Sequence, residues 1–121
     1  MIEKDAALKN PLVLAFVGDA VMTLRVRERL SGEYDGKVGE LHKLAARKIC
    51  ATAQAARFDK LFDTFEEAEK DIAMRARNVK HHTVPKNAKL SDYIKATALE
   101  AVVGYNYLIG NSKRVDELID C

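Results

Sequence analysis

The sequence is short of the features that staple a fold or anchor it in a membrane. It has two cysteines, Cys50 in mid-chain and Cys121 at the last position, so a disulfide framework is not expected and a reducing compartment is. Its longest unbroken apolar run, residues 12–17, is six residues long, against the roughly 20 that a membrane-spanning helix requires. No basic stretch with a small-residue cleavage site follows Met1, so no leader is expected. Sustained period-two alternation of β-branched residues is also missing, which argues against strands. Internal repeats and low-complexity tracts are absent from the sequence. These exclusions leave an all-α protein, expected in the cytoplasm and with no membrane partner.

What is present fits that frame. Apolar residues make up 48% and charged residues 31% of 121, an ordinary globular balance. A chain of this length buries roughly two thirds of its unfolded surface, and one domain over 1–121 is expected. The net charge of +2 conceals an uneven distribution. Residues 70–95 hold seven Lys/Arg against two acids, a net +5, and the remainder holds 13 against 16, a net −3. Arg75, Arg77, Lys80, Lys86 and Lys89 are therefore candidates to grip a polyanion, although a charged segment can also be only a solvated surface.

Helix signals recur along the chain. Asn10-Pro11 reads as an N-cap with proline at the first helical position, opening a helix to about Leu30. Residues 31–39, with three glycines, read as a loop. Leu41, Leu44, Ala45 and Ile49 have helical spacing and predict one helix over 40–56, followed by a short piece around Phe58, Leu61, Phe62 and Phe65. Thr64 and Glu67 have the spacing of a capping box and predict a helix through Arg77. Residues 78–89 read as a loop broken by Pro85. Ser91 predicts a cap for a helix over 92–109, Gly110-Asn111 its end, and Ser112 the start of a last helix to Asp120.

Two of these helices carry an acid inside an apolar stretch, Asp19 in "LVLAFVGDAVM" and Glu100 in "TALEAVVGYNYL". Neither lies in a first or last turn, so capping does not account for them. Gly18 and Gly104 beside them each cost about 1 kcal/mol relative to alanine in a helix interior, which points to close packing of the two helices. If the helices cross there, Asp19 and Glu100 face one another or share a cation, because adjacent carboxylates repel unless one is protonated or an ion lies between them. The plain alternative is that each acid pairs with an arginine such as Arg25 or simply reaches a helix edge.

"FVGDAVM" resembles the signature of the ribonuclease III family, whose core reads F-L-G-D-A/S-V/I-L, and "EAVVG" resembles the family's E-A-L-I-G segment. "ELHKLAARKICATAQAARFDKL" between them is similar to the second helix of that catalytic domain, and "TVPKN" points to the Mini-III subfamily. The resemblance implies a helical, homodimeric endonuclease domain cutting double-stranded RNA, with precursor large-subunit (23S) ribosomal RNA as the subfamily's substrate. It implies that Asp19 and Glu100 are catalytic ligands of Mg²⁺, with Mn²⁺ as a substitute, and that Phe16 packs into the partner subunit. The chain departs from the wider family where Leu12, Ala15, Thr97 and Val38 stand at acidic positions, losses that look typical of Mini-III. Two other functions stay open on the residues alone: a non-catalytic helical RNA-binding or assembly module, and an all-α Mg²⁺-dependent nucleotide pyrophosphohydrolase using Glu66, Glu67 and Glu69, on a segment that reads as an exposed helix.

Overall fold

The computed structural model describes residues 1–80, 86 and 88–120. Among them are seven α-helices and no strand: α1 (Glu3–Ala7), α2 (Pro11–Glu33), α3 (Val38–Ile49), α4 (Ala51–Leu61), α5 (Glu67–Asn78), α6 (Leu90–Leu108) and α7 (Ser112–Asp120), with a 3₁₀ turn at Phe62–Thr64. None of these helices is long and apolar enough to cross a membrane.

The long helix α2 starts as its sequence signal predicts: Asn10 Oδ1 accepts from the Leu12 amide at 2.8 Å and Pro11 takes the first helical position. Leu14, Gly18, Val21, Met22, Val26 and Leu30 form its buried stripe, at three- and four-residue spacing. That stripe packs on α6, the central helix, which is buried continuously from Ala96 to Leu99 and from Ala101 to Asn106. α4 and α5 cover other sides of α6. The two backbones meet at glycines. A Cβ on Gly18 would collide with the Glu100 carbonyl, and a Cβ on Gly104 would collide with the Leu14 carbonyl. Only glycine permits this crossing, which sets Asp19 next to Glu100.

Several boundaries differ from their sequence signals. The predicted helix over 40–56 is two, because Cys50 adopts extended ψ of 159° between α3 and α4. Gln54 closes the break by donating to the Ile49 carbonyl at 2.7 Å. The capping box of α5 is not Thr64–Glu67 but Glu66–Glu69, with the Glu66 amide donating to Glu69 Oε1 at 2.9 Å. Thr64 instead donates to the Leu61 carbonyl at 2.7 Å. α6 begins at Leu90 after Lys89, with no side-chain cap from Ser91. α2 runs on to Glu33, so the predicted loop over 31–39 shrinks to residues 34–37. The short helix α1, which carried no capping signal, is tied down by the Met1 ammonium on the Leu108 carbonyl at 2.8 Å.

Candidate active site

The α2–α6 crossing opens into a cleft of about 470 Å³. Leu12, Ala15, Phe16 and Asp19 line it from α2, and Tyr93, Thr97 and Glu100 line it from α6. On each helix these positions recur at three, four or seven residues, so one face of each looks into the same space. Asp19 is exposed and Glu100 is half-buried. Burial pushes the Glu100 carboxyl up to about 9, helped by a hydrogen bond to Asp19 and by the negative charge of Asp19. One proton is therefore held at neutral pH where two carboxylates meet.

The arginine alternative does not hold for Asp19. Arg25 is paired with Asp116 at 2.9 Å, on α7. No group of three or more His, Cys, Asp or Glu side chains gathers at metal-binding distance among the described residues. Two carboxylates at an open cleft still suit a hard divalent cation, which commonly takes one or two protein carboxylates and completes its shell with water and phosphate. Leu12, Ala15 and Thr97, the positions where the resemblance expects acids, line this same cleft. The Thr97 hydroxyl turns back to the Tyr93 carbonyl at 2.9 Å. Val38 and Glu40 do not line the cleft; Glu40 accepts from the Tyr34 hydroxyl at 2.6 Å.

Residues 12–111 match the Ribonuclease III domain family. The chain belongs to the ribonuclease III family. Within it, the chain is 43% identical over 109 residues to the Mini-ribonuclease 3 of Symbiobacterium thermophilum, covering 90% of this chain and 84% of that protein. It is 38% identical over 121 residues to the Mini-ribonuclease 3 of Thermoanaerobacter, covering 99% and 85%. The crystal structure of a Fusobacterium nucleatum protein has the same fold, with a TM-score of 0.86 at 31% identity over 93% of this chain and 90% of that one. This ribonuclease III chain is thus a ribonuclease III-type endoribonuclease that acts on RNA, of a family that depends on divalent metal. That excludes the assembly-module and pyrophosphohydrolase alternatives, and the geometry agrees. Glu69 is not on an exposed face but buried, receiving hydrogen bonds from Asn106 at 2.8 Å and from Arg114 at 2.9 and 3.0 Å.

Phe16 is 79% exposed. Beside it lies a second, mainly apolar cleft of about 400 Å³, bordered by Leu24, Arg25 and Tyr107. Tyr107 is half exposed, whereas Tyr105 belongs to the core. Of the basic set, Arg75 is engaged within the fold: its guanidinium donates to the carbonyls of Ala7 and Lys9 and to Asp71 at 3.0 Å. Arg77 lies over the Phe58 ring, 5.9 Å from its centroid. Lys80, Lys86 and Lys89 are exposed. His81, His82 and most of "TVPKN" lie outside the described residues. Lys95 turns away from the cleft to Asp59 on α4, at 2.8 Å. Tyr93 is the cleft residue that the sequence reading passed over, although its spacing to Thr97 and Glu100 carried the signal.

Proposed function

We propose that this chain is a Mg²⁺-dependent endoribonuclease for double-stranded RNA, with Mn²⁺ as a substitute, in which Asp19 and Glu100 hold the ion. The observation that carries this reading is the Asp19–Glu100 pair, two carboxyls brought together by glycine-to-backbone packing with no ion pair to either among the described residues. When bound, the divalent cation supplies an acidified water and positive charge beside the phosphate being cut. Asp19 and Glu100 fix where that happens, and Leu12, Phe16 and Tyr93 shape the cleft around the backbone. Hydrolysis leaves a 5′-phosphate and a 3′-hydroxyl. Double-stranded RNA is read mostly by shape and backbone, and Arg77, Lys80, Lys86 and Lys89 supply phosphate contacts, with Arg75 positioning that segment against α1 and the turn after it.

A homodimer is part of the same proposal. An exposed phenylalanine flanked by a cleft, with Leu24 65% exposed beside it, forms an apolar patch of the kind that marks an interface. A twofold pairing would set two acidic clefts along one duplex, one for each strand. The substrate proposed is precursor 23S ribosomal RNA, on the strength of the Mini-III resemblance. The test is incubation with Mg²⁺ and a structured duplex RNA, alongside nucleoside triphosphates as control. Cutting of RNA that stops in Asp19→Asn and Glu100→Gln supports the site, whereas cutting that survives either variant overturns it. Mapping the ends of cellular RNAs that accumulate without the protein tests the ribosomal substrate.

A further inference from the structure

A second polar site lies away from the cleft, and its charge is of the opposite sign. Arg57 on α4 has its Nε and Nη1 buried, and neither has a hydrogen-bond partner. Arg57 lines a cavity of about 80 Å³ whose other polar walls are Arg29, Lys48 and Asp120. Asp120 is already paired with Arg29. Lys48 and Arg57 make no ion pair with any described residue. Among the described residues the cavity thus carries three cations against one carboxylate. None of its lining residues borders the Asp19–Glu100 cleft. Arg29 stands ten residues beyond Asp19 on α2, roughly 15 Å of helix.

A buried guanidinium nitrogen without an acceptor is costly, and water can satisfy its donors without offsetting its charge. The cavity has several times the roughly 10–15 Å³ that one water needs, and Arg is well suited to recognising planar and tetrahedral oxyanions. We propose that this cavity is an oxyanion site for a phosphate-sized group, bound by Arg57 and Lys48, with Arg29 held in place by Asp120. The group is either free inorganic phosphate or a phosphodiester of bound RNA, two sources of one chemistry.

The test is a titration of the full chain with inorganic phosphate at constant ionic strength, read by thermal melting and by calorimetry. Phosphate is expected to raise the wild-type melting temperature by roughly 4 °C when it is about fivefold above its dissociation constant. That response disappears in Arg57→Met and weakens several-fold in Lys48→Ala. In chloride alone Arg57→Met should melt at or above the wild type, because it loses an unpaired charge, and in phosphate the wild type should melt above Arg57→Met. Should Arg57→Met fail to fold, Arg57→Lys and Lys48→Ala carry the same comparison. Duplex RNA then separates the sources: weaker RNA binding in Arg57→Met and competition by phosphate identify a phosphodiester, and unchanged RNA binding identifies free phosphate. A wild-type protein indifferent to phosphate, or an equal response in Arg57→Met, overturns the proposal in favour of water bridging Arg57 to the unpaired Gln54 Oε1. The melting readout needs no nuclease activity, so failure of this site and failure of the proposed Mg²⁺ site are separately visible.

Discussion

Glu69 and Glu100 are both glutamates packed against the central helix system, yet their surroundings drive them in opposite directions. Burial raises the Glu69 carboxyl, but hydrogen bonds from Arg114, the Glu66 amide and Asn106 outweigh it, and the net shift is downward. Arg114 adds an ion pair at 2.9 Å. Burial also raises Glu100, and there the neighbour is another carboxyl, so every contribution points upward. The first acid is fully compensated by the chain and joins α5, α6 and α7. The second makes no ion pair among the described residues, which under the proposed function leaves it for a bound cation to compensate. A buried acid with its own cation is structural, and a half-buried acid beside a second acid at an open cleft is a candidate place for a ligand.

Two substitutions should break the comparison most strongly. Asp19→Asn or Glu100→Gln is expected to reduce RNA cleavage by roughly 10³-fold or more, about 4 kcal/mol of transition-state stabilisation, measured under single-turnover conditions. Neither should lower stability, because each relieves the carboxyl pair. Glu69→Ala should do the reverse. It removes the carboxylate that Arg114 and Asn106 share, leaving them only the Thr64 and Val102 oxygens as hydrogen-bond acceptors, and is expected to cost about 3 kcal/mol in urea unfolding, with the cleavage rate of the folded fraction preserved. A Glu69→Ala protein as stable as the wild type would show that the network adds nothing, and loss of stability in Glu100→Gln would show that Glu100 is structural too.

The same contrast marks what local sequence discloses. Asn10-Pro11 is a contiguous signal and α2 starts there. Gly18 and Gly104 are anomalous in helix interiors, so the close crossing and the meeting of Asp19 with Glu100 were visible before the fold was. The break at Cys50 was not, because apolar residues keep helical spacing on both sides and only the extended ψ interrupts them. Thr64–Glu67 and Glu66–Glu69 overlap as capping boxes, and part of what distinguishes them is Arg114, whose Nη2 reaches Thr64 Oγ1 at 3.2 Å and Glu69 Oε1 at 3.0 Å from 50 and 45 residues away. The burial of Glu69 has the same long-range origin, which is why the segment reads as exposed. Tyr93 was legible from its spacing to Glu100 but belongs to no short motif.

Acidity should sharpen the contrast by moving the two sites in opposite senses. The Glu69 carboxyl is lowered in the folded state, so its contribution is present above the unfolded value near 4.5 and is lost as pH falls through the folded one. Glu100 is raised from 4.5 to about 9, so its contribution is complete below the unfolded value and is lost as pH rises toward 9. Metal-free protein should therefore lose stability between about pH 5 and 9 through this group, and Glu100→Gln should flatten that limb while leaving the acid limb intact. Binding of a divalent cation at neutral pH must displace the proton held by Glu100, so its affinity should rise with pH, by up to about tenfold per unit. Calorimetry in buffers of different ionisation enthalpy counts that proton. An affinity flat from pH 6 to 8 would show that the ion does not use Glu100.

The smallest effect is expected from returning an acid to a position where the wider family keeps one. Leu12 lies at the far end of the cleft from the carboxyl pair, seven residues and about two helical turns before Asp19. It is 38% exposed, so a glutamate there stays hydrated and costs the fold little, unlike an aspartate at buried Thr97. A single added charge acting through water over such a distance is worth on the order of 0.5 kcal/mol on a divalent ion. Leu12→Glu should thus tighten cation binding by roughly twofold to threefold, with a loss of that gain in high salt. A gain of tenfold or more would mean that the new carboxylate coordinates the ion directly and that the cleft already has the shape of the more acidic sites. No gain would place the ion wholly at the Asp19–Glu100 end, with phosphate and water supplying the rest of its shell.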